Sequence, residues 1–291
     1  MAQKILVILG PTASGKTVLG IELAKKNNGS IISADSRQVY AELNIGTAKP
    51  KEAWQNTVHA VDMPDQIDTI DHFLLNIRSP KEIYTASEWK SDAEKIIKSL
   101  ITQNKQPILV GGTMLYIDSI LYNFSMPQVA PNKILRGQLD LLSTTELQKR
   151  LQNTDSAAFD FIESHHRQRM IRALEVIESS GQKFSELRKK RPSPYEFEII
   201  GIFPGWEKLE ENIKNRSQEM LDNGLVEETN NLQKKYGSDL PLLKTINYAQ
   251  ALDADPLPAM VRATMRYAHR QISWWKRNKE IKWITSSSAT P

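Results

Sequence analysis

The sequence predicts an α/β fold in which a parallel sheet forms the core and a helical segment interrupts it. Short apolar runs alternate with helical patterns through the first 125 residues, a helix-rich stretch follows, and a further strand-like run comes after it. Such alternation is typical of parallel sheets covered by helices. We therefore expect an α/β core formed by residues 1–125 and 196–291, and a helical insertion domain at residues 126–195.

The first part of the chain supplies three predicted strands. Lys4–Leu9 is a continuous apolar run, as expected for a strand buried on both faces, and a glycine-rich turn leads from it to a helix at Lys16–Lys26. The β-branched run Ser30–Ser33 predicts the second strand. Helical spacing over Ser91–Gln103 leads into a third strand at Pro107–Val110.

Prolines bound the predicted insertion. Pro127 and Pro131 bracket a loop, the stretch 134–187 is helix-like, and Pro192 with Pro194 closes it. Beyond them the sequence predicts a strand at Phe197–Phe203 and helices at Glu207–Asp222, Val226–Tyr236 and Leu257–Lys279.

The composition excludes several classes of protein. Of 291 residues, 40% are hydrophobic and 25% charged, which excludes a disordered chain. The absence of cysteine excludes disulfides, thiolate nucleophiles and cysteine-ligated zinc. No apolar run approaches the roughly 20 residues of a membrane span, and Ile5–Leu9 is too short for a signal peptide. We expect a cytoplasmic protein that does not bind membranes.

The excess positive charge is clustered. Residues 1–124 carry 13 basic and 13 acidic residues, whereas residues 165–192 carry 8 basic and 3 acidic ones, and residues 262–282 carry 7 and 1. Charge alone leaves two interpretations open, a surface that binds a polyanion and a pair of solvated helix faces.

A phosphate-binding motif lies between the first strand and the first helix. Glycines allow backbone N–H groups to surround phosphate oxygens, the lysine reaches a terminal phosphate, and the threonine can hold Mg²⁺. An accidental match at a strand-to-helix turn is the alternative. The motif predicts a diphosphate or triphosphate ligand, bound by Gly10, Pro11, Thr12, Ala13, Ser14, Gly15, Lys16 and Thr17.

Asp35 is a candidate for acid–base chemistry. A nucleotide hydrolase would have an apolar strand ending in Asp, but the run Ile108–Val110 ends in glycines. Asp35 instead follows the second predicted strand, at the edge where the ends of parallel strands meet a ligand. It can ligate a metal, accept a proton, or merely cap a turn.

With these residues in place, the sequence resembles the tRNA dimethylallyltransferases over nearly its whole length, and the bacterial type more than eukaryotic relatives, which carry a zinc finger. The Asp-Ser and Gly-Thr-Ala-Lys-Pro elements are specific to that family. The likeness is carried by Gly10–Thr17, Asp35–Tyr40, Gly46–Pro50, Gly111–Tyr116, Gln168–Arg172 with Ala173–Glu175, Asn215–Arg216, Gly224–Glu228, and Arg266–Gln271 with Trp274.

The resemblance implies a reaction and a set of catalytic residues. A dimethylallyl group moves from dimethylallyl diphosphate to the exocyclic amine of the adenine just 3′ of the anticodon, with Mg²⁺ at Thr17. Asp35 is the implied general base, and Arg216 the arginine that steadies the diphosphate. Without the resemblance, Arg216 is interpreted as a surface arginine on a helix.

The resemblance also implies an RNA-binding surface. The partner is the anticodon arm of tRNA, no obligate protein partner is needed, and we expect a monomer. The adenine must be flipped out of the loop to reach a buried base. The residues implied in tRNA binding are Asp35, Ser36, Arg37, Gln38, Thr113, Gln168, Arg169, Met170, Ile171, Arg172, Lys244, Arg262, Arg266 and Arg270.

The last predicted helix has two distinct faces. At 100° per residue, its apolar residues fall on one side and its basic residues on the other, so we expect a core face and a basic stripe. Trp274 and Trp275 belong to the core face, which favours packing over stacking on bases. The stripe comprises Arg262, Arg266, His269, Arg270, Lys276 and Arg277.

The sequence departs from the family pattern at two positions. Met114 replaces a usual glycine and is expected to narrow the channel beside Thr113. Asn247 replaces another glycine and can adopt the left-handed backbone that a glycine would supply.

Three alternative functions stay open. They are an isopentenyltransferase acting on free adenine nucleotides, a phosphate-loop small-molecule kinase, and a non-catalytic RNA-binding module. The basic segments disfavour the first, and the complete phosphate loop beside Asp35 disfavours the last.

Overall fold

The computed structural model describes residues 4–126, 129–162, 166–187 and 191–285. Pro127, His165 and Arg188–Lys190, which bear on the predicted loop and basic segment, lie outside the described residues. The chain divides into two compact units, one formed by Met1–Ile117 with Pro194–Pro291 and the other by Asp118–Ser193. No helix in the described part of the chain has the length and apolar character needed to cross a bilayer.

The first unit is built on a sheet that contains seven strands among the described residues, in the order β3-β4-β2-β5-β1-β6-β7. All neighbouring strands are parallel except β3 and β4, which are antiparallel. The strands are β1 (Ile5–Leu9), β2 (Gly29–Ala34), β3 (Asp65–Ile67), β4 (Ile70–Phe73), β5 (Gln106–Gly111), β6 (Phe197–Ile202) and β7 (Lys282–Ile284).

The central strands are apolar because helices cover both faces of the sheet. All five residues of β1 are buried, and Leu6 and Ile8 pack with Leu19 of the first helix and with Ile108 and Val110 of β5. In register, Leu9 of β1 lies beside Gly111 of β5, so the ends of these strands meet at one edge of the sheet. The phosphate-binding motif begins at that edge.

Among the described residues, six α-helices belong wholly to the first unit. The second begins with a capping box in which the hydroxyl of Thr85 accepts from the backbone N–H of Glu88, and the carboxylate of Glu88 accepts from Thr85. These helices are α1 (Lys16–Lys26), α2 (Ala86–Thr102), α9 (Trp206–Asp222), α10 (Leu225–Tyr236), α11 (Tyr248–Ala251) and α12 (Pro256–Trp275), while α3 (Met114–Leu121) runs across the boundary between the units.

The second unit is helical and has its own hydrophobic core. Leu147, Leu151, Met170, Ile171 and Leu174 are buried there. Its helices are α4 (Lys133–Asp140), α5 (Thr144–Thr154), α6 (Ser156–Phe161), α7 (Arg167–Ser180) and α8 (Phe184–Leu187).

The predicted fold class, an α/β core with a parallel sheet and a helical insertion, is confirmed, and the phosphate-binding motif connects β1 to α1 as in phosphate-loop NTPases. Helix α1 has the predicted bounds, and β1, β2, β5 and β6 each lie within one residue of prediction at either end. Strands β3, β4 and β7 were not predicted. The second unit begins and ends slightly earlier than the expected insertion domain, at Asp118 and Ser193 in place of 126 and 195.

Candidate functional site

The phosphate-binding motif forms a tight loop between β1 and α1. Gly10 has φ 151°, and a Cβ atom there would lie 2.4 Å from the carbonyl oxygen of Ile202 in the adjacent strand. Gly15 has φ 92° at the start of α1, and Ala13 also has a positive φ. The hydroxyl of Ser14 is buried and has no hydrogen-bond partner in the part of the chain that the structure describes. An unpaired buried hydroxyl in a loop of this geometry fits a ligand that supplies acceptor oxygens.

Lys16 is the cation of this loop. Its Nζ donates to the carbonyl of Pro11 at 2.6 Å. Burial and, to a smaller extent, the nearby charge of Arg216 lower the pKa of Lys16 to about 7, while the charge of Asp35 opposes the change. Lys16 is therefore poised to become fully charged when an anionic ligand replaces the lost solvation.

Arg216 of α9 reaches the same loop from a distant part of the sequence. Its guanidinium donates to the hydroxyl of Thr12. Burial lowers the pKa of Arg216 to about 10, against the opposing charges of Asp35 and Glu219, so it stays cationic at neutral pH. The helix thus brings a second positive charge to the predicted diphosphate site.

Asp35 lies just past the end of β2 and uses its two carboxylate oxygens differently. Oδ1 accepts from the backbone N–H groups of Arg37 at 2.8 Å and Gln38 at 3.3 Å. Oδ2 accepts no hydrogen bond from the described residues. Asp35 therefore caps the turn that follows β2 and still presents a free acceptor oxygen.

Thr12, Arg216 and Asp35 line one cavity of about 380 Å³ within the first unit, whereas Lys16 is not among its lining residues. It joins the phosphate loop, the end of β2 and the side of α12. Its lining residues are Thr12, Asp35, Ser36, Arg37, Gly46, Thr47, Ala48, Thr113, Arg216, Lys244, Thr245, Ile246, Asn247, Tyr248, Thr264, Tyr267 and Arg270.

One wall of the cavity is the loop 46–48, which is anchored by Glu228. The Glu228 carboxylate accepts from the backbone N–H groups of Ile45 at 2.9 Å and Gly46 at 3.1 Å, and from the hydroxyl of Tyr248 at 2.6 Å. A Cβ atom on Gly46 would lie 2.4 Å from the Tyr248 ring, so no larger residue fits there. Asn247 has a positive φ of 75°, but with ψ −54° it is not in the left-handed helical conformation, and it donates to the carbonyl of Gly46.

Helix α12 forms the opposite wall. Gln271 is completely buried; it accepts from the backbone N–H of Thr12 at 3.0 Å and donates to the carbonyl of Gly112 at 2.8 Å. Tyr267 also donates to Gly112. A Cβ atom on Gly112 would lie 2.5 Å from the Gln271 amide nitrogen, so this close approach requires glycine. Gln271 fixes the phosphate loop relative to the segment that carries Thr113.

A sequence model described as IPP transferase matches residues 38–278, and one described as isopentenyl transferase matches residues 3–61. The chain belongs to the IPP transferase family. It is therefore an enzyme that transfers prenyl groups.

Individual IPP transferases match along nearly their whole length. The tRNA dimethylallyltransferase of Crocosphaera subtropica is 38% identical over 99% of this chain and 94% of its own, and that of Trichormus variabilis is 38% identical over 98% and 95%. The Staphylococcus epidermidis tRNA isopentenylpyrophosphate transferase structure is 30% identical over 99% of this chain and 95% of its own, with a TM-score of 0.66. A eukaryotic dimethylallyltransferase acting on tRNA has a TM-score of 0.77 at 22% identity over 99% of this chain and 75% of its own, which shows the shared fold alone.

The basic face of α12 in this IPP transferase is exposed to solvent. Trp275 and Ala268 are buried on the opposite face, as predicted, and Trp274 is half-buried. Tyr267, assigned to the core by periodicity, instead lines the cavity, and the guanidinium of Arg270 lies 5.6 Å from its ring centre. The six residues of the stripe, Arg262, Arg266, His269, Arg270, Lys276 and Arg277, are all exposed. Helix α12 ends at Trp275 and not at the predicted Lys279, so Lys276 and Arg277 lie beyond the helix.

The insertion residues that the resemblance implies in tRNA binding have different environments. Gln168 and Arg169 are exposed. Met170 and Ile171 are buried in the core of the second unit, so the prediction of RNA contact by these two side chains is corrected. Arg172 is half-buried and donates to the buried carboxylate of Glu175 and to the carbonyl of Val129.

Other predicted residues also have internal partners. Gln38 accepts from the hydroxyl of Ser33 and donates to the carbonyls of Thr47 and Ala48, so its amide holds the loop 46–48. The hydroxyl of Thr113 accepts from the backbone N–H of Ser36. Met114 is absent from the described residues that line the cavity, so the expected narrowing by this side chain is not observed.

Sequence reasoning missed several residues that shape the site. Thr47, Ala48, Tyr248 and Thr264 line the cavity. Gln271 belongs to the segment Arg266–Gln271, which carries the family resemblance, but the sequence indicated no role for it. The spacing of 264, 267 and 271 along one helix was the available signal, because residues three and four apart share a helix face.

The oxygen groups of the site fit Mg²⁺. The described residues contain no cluster of three or more His, Cys, Asp or Glu that would hold a metal by themselves. Thr17 is exposed at the start of α1, and its hydroxyl makes no side-chain hydrogen bond to the described residues. Mg²⁺ takes few protein ligands and completes its shell with phosphate oxygens and water, which is compatible with this arrangement.

Proposed function

We propose that the protein transfers the dimethylallyl group of dimethylallyl diphosphate to the exocyclic amine of the adenine 3′-adjacent to the anticodon in tRNA, and releases diphosphate. One observation carries this proposal. A single cavity is lined by the phosphate-loop residue Thr12, the cation Arg216, the carboxylate residue Asp35 and Arg270 of the basic helix. The names of the curated relatives support tRNA as the acceptor.

The diphosphate end of the cavity stabilises the leaving group. As the bond between the allylic carbon and oxygen breaks, its electron pair stays on the diphosphate, whose negative charge rises. Lys16 and Arg216 lie where this charge develops, and preformed positive groups there lower the barrier. Mg²⁺, held at Thr17 and the phosphate oxygens, would supply further charge neutralisation.

Asp35 is the general base that accepts the proton from the adenine amine. The adenine amine uses its lone pair to form a bond to the allylic carbon and becomes positively charged. Oδ2 of Asp35, which has no protein donor among the described residues, then accepts a proton from that nitrogen. The products are the N-alkylated base and diphosphate, and the proton rests on Asp35 until solvent removes it.

Adenine nucleotides are the competing acceptor, because a model described as isopentenyl transferase also matches residues 3–61. The exposed basic stripe of α12 supports the larger acceptor, since a free nucleotide needs no extended cationic surface. The kinase alternative is disfavoured because β5 ends in glycine and not in an Asp that would act as a second metal ligand.

The proposal is tested by incubating the protein with labelled dimethylallyl diphosphate, Mg²⁺ and either tRNA or AMP. We expect label in tRNA, and nucleoside mass spectrometry should place it on the adenine beside the anticodon. A tRNA with guanine at that position is the matched control and should stay unlabelled. Label that enters AMP but not tRNA contradicts the proposal.

A further inference from the structure

Thr264 is a buried residue whose hydroxyl has no hydrogen-bond partner among the described residues. It is 2% exposed, lies in α12 and lines the cavity. A helical threonine in a buried site ordinarily donates to the carbonyl four residues earlier. Thr229 does so, with a bond of 2.7 Å to the carbonyl of Leu225, but Thr264 makes no such bond.

Neighbouring polar groups on these walls are already engaged. The hydroxyl of Tyr248 donates to Glu228, that of Tyr267 donates to Gly112, and the amide nitrogen of Asn247 donates to Gly46. The hydroxyl of Thr264 is therefore an unused hydrogen-bonding group beside the cavity. Buried hydroxyls without partners destabilise a protein, and such a group is explained when a ligand completes it.

The position of Thr264 along α12 indicates which part of a ligand it meets. Gln271 bonds the phosphate loop at Thr12 and so marks the diphosphate end of the helix. Thr264 is seven residues earlier, which is about 10 Å along the helix axis. A diphosphate bound at the loop does not extend that far, and a dimethylallyl group has no atom that forms a hydrogen bond.

We propose that the Thr264 hydroxyl donates a hydrogen bond to a ring nitrogen of the acceptor base, which makes Thr264 a specificity-determining residue for that base. The inference rests on the proposed function, because it needs a nucleobase in the cavity. A site that hydrogen-bonds its substrate rejects analogues that lack the partner atom, since the buried group is then left unpaired.

The test compares Thr264→Val, Thr264→Ser and the matched control Thr229→Val. Thr264→Val removes an unpaired hydroxyl, so the melting temperature should stay equal or rise, while kcat/KM for tRNA should fall about tenfold. Thr264→Ser keeps the hydroxyl and should stay within about threefold of wild type. Thr229→Val loses a satisfied hydrogen bond, so it should lower the melting temperature and leave kcat/KM unchanged.

A second measurement identifies the partner atom. Anticodon stem-loops are made with 1-deaza-, 3-deaza- or 7-deazaadenine at the target position. One of these analogues should lower the kcat/KM of the wild-type protein by about the same factor as the Thr264→Val substitution does. The same analogue should not lower the kcat/KM of Thr264→Val any further, because the hydroxyl and the ring nitrogen share one hydrogen bond. Binding of inorganic diphosphate should be the same in wild type and Thr264→Val.

Each contrary result is distinct. If Thr264→Val keeps the wild-type kcat/KM, the inference is overturned and the proposed function stands. The same holds if Thr264→Val lowers the melting temperature, Thr264→Ser restores it, and kcat/KM does not change in either variant. Weaker diphosphate binding in Thr264→Val assigns the hydroxyl to the donor site, which also overturns it. A wild-type protein that alkylates no RNA overturns the proposed function, and the inference with it.

Discussion

The two carboxylate oxygens of Asp35 have different partners. Oδ1 caps the turn after β2, whereas Oδ2 accepts no hydrogen bond from the described residues and is the proposed proton acceptor. The position of Asp35 was predictable because it follows a recognisable strand. The division of labour between its oxygens was not, since it depends on the fold of the turn at Arg37 and Gln38.

Replacing Asp35 by Asn separates the two roles. The amide oxygen of Asn can still accept from Arg37 and Gln38, but the side chain no longer takes a proton at neutral pH. We expect transfer to fall by about 10²- to 10⁴-fold, the usual contribution of a general base, with tRNA affinity within a few-fold of wild type. Single-turnover transfer and filter binding measure the two effects, and near-normal transfer would leave Asp35 as a turn cap alone.

The lowered pKa of Lys16 predicts a pH dependence of diphosphate binding. Near pH 6 the lysine is already protonated in the free protein. Above pH 7 the free protein loses this proton, while the bound anion favours the charged form, so binding must take up a proton and its affinity should fall as pH rises. Calorimetry in buffers of different ionisation enthalpy measures the uptake between pH 6 and 8.5.

Lys16→Arg is the matched control for this titration, because arginine stays charged throughout the range. The variant should lose the proton uptake that comes from the lysine. The proton uptake that comes from the ionisation of diphosphate itself should be unchanged. Equal proton uptake in both proteins would show that Lys16 does not titrate in the free site.

At the scale of secondary structure, α12 shows what periodicity predicts well. Its basic and apolar faces follow from 3.6 residues per turn, and the four stripe residues within the helix, Arg262, Arg266, His269 and Arg270, are exposed as predicted. Periodicity fails for Tyr267, because a cavity wall is apolar and half-buried like a core face. Strands β3, β4 and β7 have three or four residues each, too few for a period, and form through pairing with distant strands.

Charge reversal on this stripe should weaken tRNA binding. Arg262 and Arg266 are exposed and lie outside the lining of the cavity. The double variant Arg262→Glu/Arg266→Glu should raise KM for tRNA and make the slope of log affinity against log salt shallower by about one to two units, because each lost phosphate contact removes about 0.7 to 0.9.

Lys98→Glu, on the exposed side of α2, is the control for this change of charge. It should alter neither KM nor the salt slope. If the double variant keeps the wild-type slope, the stripe is a solvated helix face, the interpretation that charge alone left open.

At the scale of the whole molecule, the stability of the first unit depends on a lysine inside it. Lys49 is 3% exposed, donates to the carbonyl of Tyr40 and to the side chains of Asn44 and Asn76, and so ties the loop 46–48 to the core. Burial lowers the pKa of Lys49 to about 7, although Asp65, Glu228 and Asp35 oppose the change. Nothing in the sequence alone showed that the lysine of the Gly-Thr-Ala-Lys-Pro element is buried.

This burial predicts how stability changes with pH. Between pH 7 and the ordinary lysine range, the unfolded chain binds a proton at Lys49 that the folded protein does not, so the free energy of unfolding should rise with pH from 7 to 9. Lys16 acts in the same direction. Urea unfolding at both pH values measures the rise, and Lys49→Met should show a smaller one; a flat or falling profile in the wild type would contradict the burial of these charges.

The order of the strands has a consequence for synthesis on the ribosome. Strand β1 is wholly apolar and lies between β5 and β6, but β6 follows the unit Asp118–Ser193 in the chain. At 5–20 residues per second, that unit takes roughly 4–15 s to make. Throughout this interval one edge of β1 has no partner strand, and an open apolar edge is a template for pairing with other chains. The nascent protein is therefore most prone to aggregate after β5 has emerged and before β6 arrives.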